Sequence, residues 1–130
     1  MKRVWLRDDS GQSLVEFAIV LPILLLILFA IFDFGKLFMT DLVLEEAARD
    51  AARYASIGAS DTQIDQVIVR DCAVLQTSQL TIAINPVDTE RVSGEPVTVS
   101  VSYPVTLDPP LVAFVPSPLI ITAVMTMRVE

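Results

Sequence analysis

The stretch from Phe17 to Phe32 is sixteen residues without a charge, and Glu16 stands immediately before it. A helix that is apolar all round needs lipid or other apolar helices around it. The run alone is shorter than the ~20 residues of a spanning helix. Adding Ser13, Leu14 and Val15, with Glu16 at headgroup level, extends the segment to twenty. An ionised carboxylate near hydrocarbon costs about 2.5–3.5 kcal/mol on insertion scales, so Glu16 calls for a partner or a task. A cut between Gly11 and Gln12 would make Glu16 the fifth residue of a new N-terminus. The freed amine would then be its counter-charge, an arrangement suited to a filament subunit.

Two other roles for the run fit less well. A buried helix of a soluble domain is rarely apolar on every face. A cleaved secretory signal would end in small residues of A-x-A type, whereas the run here ends in Phe29-Ala30-Ile31-Phe32-Asp33. The segment is therefore expected to remain attached. Lys2, Arg3 and Arg7 precede it, and Asp33, Asp41, Glu45, Glu46 and Asp50 outnumber Lys36 and Arg49 after it. The positive-inside rule then puts the N-terminus in the cytoplasm and the chain beyond about residue 36 outside. Pro22 within the span reads as a tolerated kink, because neighbouring groups can satisfy the backbone it frees. Asp33 and Lys36, three apart, read as boundary markers able to pair at the outer interface.

With 130 residues there is room for one small domain beside this segment. The net charge of −7 argues against nucleic acid as a partner. Without residues 1–11, six basic and fourteen acidic side chains remain, a net charge of −8. The chain has no histidine, hence no His general base and no His zinc ligand, and a single cysteine that has no intrachain partner. No metal or cofactor site is expected. The acids Glu45, Glu46, Asp50, Asp61, Asp65 and Asp71 fall at helical spacings that a solvated face accounts for, so no enzymatic activity is expected.

Past the span, Leu44, Ala47, Ala48, Ala51 and Ala55 form a thin apolar stripe. Glu45 and Arg49 are ordered for an i,i+4 pair on the opposite face. Gly35 weakens the helix without stopping it, so one helix is expected to continue to about Ser56 and to end at a Gly58 cap. Ser60 with Gln63 fits a capping box for a second helix. Its buried stripe would be Ile64, Val67, Ile68, Asp71, Cys72 and Leu75, with Cys72 serving as a small core hydrophobe.

From Leu80 the period becomes two. Leu80–Ile84, Val97–Tyr103 and Ile121–Val129 each alternate as half-buried antiparallel strands. Pro86, Asp88, Gly94 and Pro96 mark the first loop; Pro104, Pro109, Pro110, Pro116 and Pro118 mark a longer one. Leu111, Val112, Phe114 and Val115 in that longer loop either cap the sheet edge, the preferred reading, or touch the membrane or a neighbouring subunit. The expected fold is α+β: a long transmembrane-plus-stem helix, a second short helix, and about three antiparallel strands laid on the stem.

The block Gly11-Gln-Ser-Leu-Val-Glu16-Phe17, the Leu-rich run with Pro22, and Phe32-Asp33-Phe-Gly35 resemble the TadE-like family. These are minor pilins or pseudopilins of the tight-adherence (Tad/Flp) branch of type IV pili. The Ala-Ala-Arg-x-x-Ala-Arg-Tyr-Ala pattern at 47–55 and the end of the chain, Thr122-Ala123 and Arg128-Val129-Glu130, agree with it. The resemblance implies a cytoplasmic prepilin leader at 1–11 and processing between Gly11 and Gln12 by a prepilin peptidase. It further implies a transmembrane helix at 12–36 and an extracytoplasmic pilin-like domain at 37–130. Glu16, Phe17 and Pro22 would serve assembly, with Glu16 meeting the Gln12 amine of an adjacent subunit. The implied partners are other pilins, the inner-membrane assembly platform and the lipid bilayer. Gln12 stands where the wider type IV pilin pattern has phenylalanine. The appended domain favours a minor pilin over the bulk subunit, in the service of pilus biogenesis, adhesion or biofilm formation. The alternative is an uncleaved single-pass anchor carrying a periplasmic scaffold or binding domain.

Overall fold

A computed structural model describes residues 9–130, with side chains from Gly11 onward; most of the expected leader lies outside the described residues. Helix α1 runs unbroken from Asp9 to Ser56, through both Pro22 and Gly35. Its 48 residues extend for about 70 Å at ~1.5 Å per residue. It ends as the sequence predicts. Gly58 takes a left-handed φ of 82°, its N–H donates to Ala55 O at 3.2 Å, and the Ala59 N–H donates to Tyr54 O at 3.1 Å. These two bonds satisfy carbonyls that the last helical turn would leave open. The Glu130 N–H covers a third, Ser56 O, at 2.8 Å.

Helix α2 spans Asp61–Asp71 and starts at the expected capping box, in which Ser60 and Gln63 each accept the other's backbone N–H. Ile64, Val67, Ile68 and Cys72 are buried. Asp71 stays at the margin of that stripe, with Arg70 Nε donating to its Oδ1 at 2.8 Å. Burial, and secondarily the Asp71 carboxylate, push the Cys72 thiol from the ordinary 9.0 up to about 11.

Three strands complete the α+β fold: β1 Thr81–Asn85, β2 Pro96–Val105 and β3 Leu119–Arg128, ordered β1-β2-β3 and antiparallel throughout. Val97, Val99, Val101 and Ala123 face the helix, in register Val99↔Met125 and Val101↔Ala123. The opposite face is polar, with Thr98 bonded to Thr126 and Ser102 to Thr122, each at 2.8 Å. The period-two pattern thus yields a sheet with one dry and one wet face. Pro104, expected in the loop, instead lies inside β2, and Pro96 opens that strand. Both are tolerated because β1 pairs only with Thr98–Ser102, which leaves each proline beyond its end.

The core is centred on α1. Leu44, Ala47, Ala48, Ala51, Ala52 and Ala55 are all fully buried, against α2 on one flank and the sheet on the other. At ~100° per residue these six positions cover an arc of roughly 140°. That is wider than one stripe, and it is why Ala52, which the sequence pattern leaves out, is also covered. Methyl side chains let two layers approach the same helix closely. The Glu45–Arg49 pair expected on the opposite face is not made: among the described residues no ion pair joins them, and both side chains stay in solvent. Exposed i,i+4 pairs contribute only about 0.3–0.5 kcal/mol, too little to hold two long side chains together.

Ala51→Leu should destabilise the detergent-solubilised chain by about 1–3 kcal/mol through overpacking, measured by chemical denaturation. Unfolding at unchanged denaturant would contradict the packing described. Because the folded thiol titrates near 11 and the unfolded one near 9.0, Cys72 should lower stability as pH rises across that window. Its alkylation at pH 9 should follow unfolding, and a Cys72→Ala chain should lose that increment of pH dependence.

Candidate functional site

Two regions of α1 carry the groups singled out in the sequence. The first is the apolar half. From Gly11 to Phe32 the side chains are exposed, apart from partial cover at Leu21 and Ala30, so the rest of the chain leaves this stretch bare. Its most apolar 18-residue window has mean hydropathy 3.0 with none of it buried. By length and composition the helix can cross a membrane. Phe17 is 58 % exposed and Glu16 is exposed next to it. Gln12 Nε2 donates to Glu16 Oε1 at 3.2 Å, four residues apart on one helical face. Gly11, Gln12, Glu16 and Phe17 therefore lie within two turns, ahead of the apolar run. Pro22 is exposed one turn and a half further on; lacking an N–H, it leaves Ala18 O without a helical donor.

The second region is at the far end of the apolar run, where Asp33 does more than mark a boundary. It is only 2 % exposed. Its two oxygens accept the Asp108 backbone N–H at 3.5 and 3.3 Å. Lys36 Nζ lies 3.5 Å from Asp33 Oδ1 and also donates to the Asp108 carboxylate. One lysine thus joins two acids separated by 75 positions in sequence. The sequence pairing of Asp33 with Lys36 is present; Asp108 is the partner that local spacing could not supply. A signal existed, since Asp108 is the only charged residue between Glu95 and Arg128. The connection from β2 to β3 is thereby clamped to α1. Leu107, Leu111, Val115 and Leu119 line, together with Phe34 and Leu37, a cavity of about 200 Å³, and Phe34 still keeps 69 % exposure. The loop's apolar residues therefore divide: Leu111 is partly covered beside the helix, not at the sheet edge that was expected, while Val112, Phe114 and Val115 stay exposed.

A second clamp closes the opposite end of the domain. Arg91, its side chain 4 % exposed, donates to the Asp61 carboxylate, to Ala59 O at 2.6 Å and to Pro86 O at 3.2 Å. Asp61 and Asp88 exchange backbone-to-carboxylate bonds at 3.4 and 3.2 Å. The loops at 57–61 and 85–91, which the sequence marks as loops without linking them, are tied together by that arginine. Glu45 and Glu46 lie on the open face of α1, and Asp61 is occupied by Arg91. Among the described residues, no group of three or more acidic or cysteine side chains is placed to hold a metal.

Replacing Asp33 by Leu should speed hydrogen exchange at the Asp108 amide by about tenfold or more, the equivalent of losing ~1–3 kcal/mol of buried bonding. Asp33→Asn, which keeps an acceptor, should fall between. Equal exchange in all three chains would contradict the clamp.

A family model described as TadE-like protein matches residues 11–53, the exposed apolar half of α1 and most of its stem. The match does not reach the strands, so the likeness noted at Thr122-Ala123 and 128–130 lies outside it. No curated protein and no solved structure matches the chain. Residues 11–53, carried on one long apolar helix, are thus similar to the TadE-like family, consistent with a TadE-like protein of the Tad pilus system.

Proposed function

We propose that this chain is a minor pilin or pseudopilin that is cut after Gly11 and assembles through α1. The observation that carries this reading is the bareness of the apolar half: a stretch whose most apolar 18-residue window has mean hydropathy 3.0 and is left unburied by its own chain suits the exchange of one apolar environment for another. In the membrane that environment is lipid; on assembly it is the helices of neighbouring pilins. The N-terminus lies in the cytoplasm and the domain from about residue 37 lies outside, following the charges that flank the span. A prepilin peptidase makes the cut and the inner-membrane platform receives the product.

Glu16 sets register. The charge stands just ahead of the apolar run, where an axial stagger between subunits brings it level with a neighbour's Gln12 amine. An ion pair excluded from water is stronger than the same pair in solvent. A wrong stagger strands a charge, so the pair selects position more than it adds stability. Phe17 belongs to the same contact. Pro22 provides a point where the helix can loosen, because one of its backbone bonds is already missing. The part of the protein in pilus biogenesis, adhesion or biofilm formation is played through assembly, without catalysis, cofactor or nucleic acid. The acids fit that view: Glu45 and Glu46 are solvated and Asp61 is paired.

One observation favours the second reading, an uncleaved membrane anchor for a periplasmic scaffold. In the intact chain the Gln12 side chain already serves Glu16 with a donor, so the acid has a partner without a cut. The N-terminal mass of the protein recovered from membranes, with and without prepilin peptidase, separates the two. Our reading expects a terminus at Gln12 only where the peptidase is present. An intact leader in both strains would sink it and leave the anchor. Given the cut, Glu16→Ala should be processed normally yet enter sheared pili at least ~tenfold less, since removing one partner of a water-excluded pair costs roughly 3–5 kcal/mol.

A further inference from the structure

We propose that the connection between β2 and β3 is a membrane foot, with Phe114 and Val112 inserted into the outer headgroup–acyl boundary of the bilayer. The inference rests on the reading of α1 as a membrane span. The height of the segment carries it. Asp33 directly follows the last residue of the uncharged run, and the Asp33–Lys36–Asp108 clamp holds the segment at that level. Leu111 and Val115 line one cavity with Phe34 and Leu37. The segment cannot ride higher on the stem without breaking those contacts, so it sits where the span leaves hydrocarbon.

The exposed surface at that level is apolar. Phe114 is 76 % exposed and Val112 42 %, and on the helix itself Phe32, Phe34 and Phe38 are each more than 60 % exposed. In solvent this would be an uncovered aromatic patch continuous with the bare apolar helix. At a bilayer boundary, such side chains bury to a depth of about 5–10 Å. The four prolines in this segment, Pro109, Pro110, Pro116 and Pro118, remove four backbone donors that entry into the boundary would otherwise strip of water. No lysine or arginine occurs between Arg91 and Arg128. Attraction to anionic headgroups therefore has no basis here, and the foot enters by apolar burial, with Asp108 neutralised by Lys36. Its occupant is zwitterionic bilayer, not an acidic lipid or a protein groove. A foot of this kind would fix the tilt and rotation of the domain above the membrane before the subunit leaves for a filament.

The test uses the full chain with its single tryptophan removed (Trp5→Phe), reconstituted in phosphatidylcholine vesicles whose acyl chains carry bromine at shallow or deep positions. One reporter tryptophan is introduced at a time, by Phe114→Trp, Phe29→Trp or Val124→Trp. We expect Phe114→Trp to lose emission to shallow bromine more than to deep bromine. Phe29→Trp should be quenched, whereas Val124→Trp, exposed on the outer face of the sheet, should be untouched. If Phe29→Trp is quenched while Phe114→Trp emits as in water, the foot is overturned and the span stands. Blue-shifted but unquenched emission from Phe114→Trp would mean cover by another copy of the chain, which also overturns the foot. An unquenched Phe29→Trp would remove the span and the foot together.

Discussion

The contact on which this molecule depends is the close approach of two layers to the alanines of α1. Leu44, Ala47, Ala48, Ala51, Ala52 and Ala55 are fully buried and form the helix side of the main core cluster. A domain of this size has little apolar area to spend on more than one centre. Building both flanks on one thin helix lets α2 and the sheet share it. The same backbone then continues, without a break, into a half that its own chain leaves bare. One rod is thus a core element at one end and, at the other, an exposed apolar helix able by length and composition to cross a membrane. Its rigidity couples any change at the apolar end to the position of the domain.

The clamps explain why that coupling is tight. At the end nearer the apolar half of α1 the chain between β2 and β3 is held to Asp33 and Lys36; at the far end Arg91 gathers the loops at 57–61 and 85–91. Both use a charge inside a mostly apolar setting, where an unpaired group would be costly and a misplaced partner is penalised. Such pairs contribute less to net stability than to a single arrangement of the parts. Between them the sheet can neither slide along α1 nor rotate about it. If the chain assembles as proposed, with its apolar helix meeting neighbours at one stagger, a fixed relation between helix and domain would serve that assembly.

Much of this was legible because it is written locally. The spacing of the alanines, the glycine after Ser56, the Ser60–Gln63 box and the change of period at Leu80 are all read within a few residues, and each appears where the spacing puts it. The edges of that legibility are equally physical. Pro104 reads as a loop residue until it is known that β1 stops short of it, which depends on pairing and not on composition. Ala52 looks like the start of the solvated face until a second layer widens the buried arc. Asp33 pairs with a backbone 75 positions away, and no periodicity encodes such a contact. Arg91 lies in a stretch that the sequence marks only as a loop, yet its side chain is almost fully buried. At the N-terminal site the situation reverses: Gly11, Gln12 and Glu16 are conspicuous in sequence, and the structure adds to them one Gln12–Glu16 bond on a single helical face.

The central claim, one helix passing from lipid into the core of an extracytoplasmic domain, is tested most directly by cysteine accessibility in intact cells. In a Cys72→Ala chain, a membrane-impermeant maleimide added from outside, after permeabilising only the outer membrane where the cell has one, should label Glu46→Cys on the exposed stem and should spare Ile27→Cys until the membrane is dissolved. Labelling of Glu46→Cys only after lysis would put the domain on the cytoplasmic side. Prompt labelling of Ile27→Cys in intact cells would mean that the apolar half is not in the membrane, and either result would contradict the account.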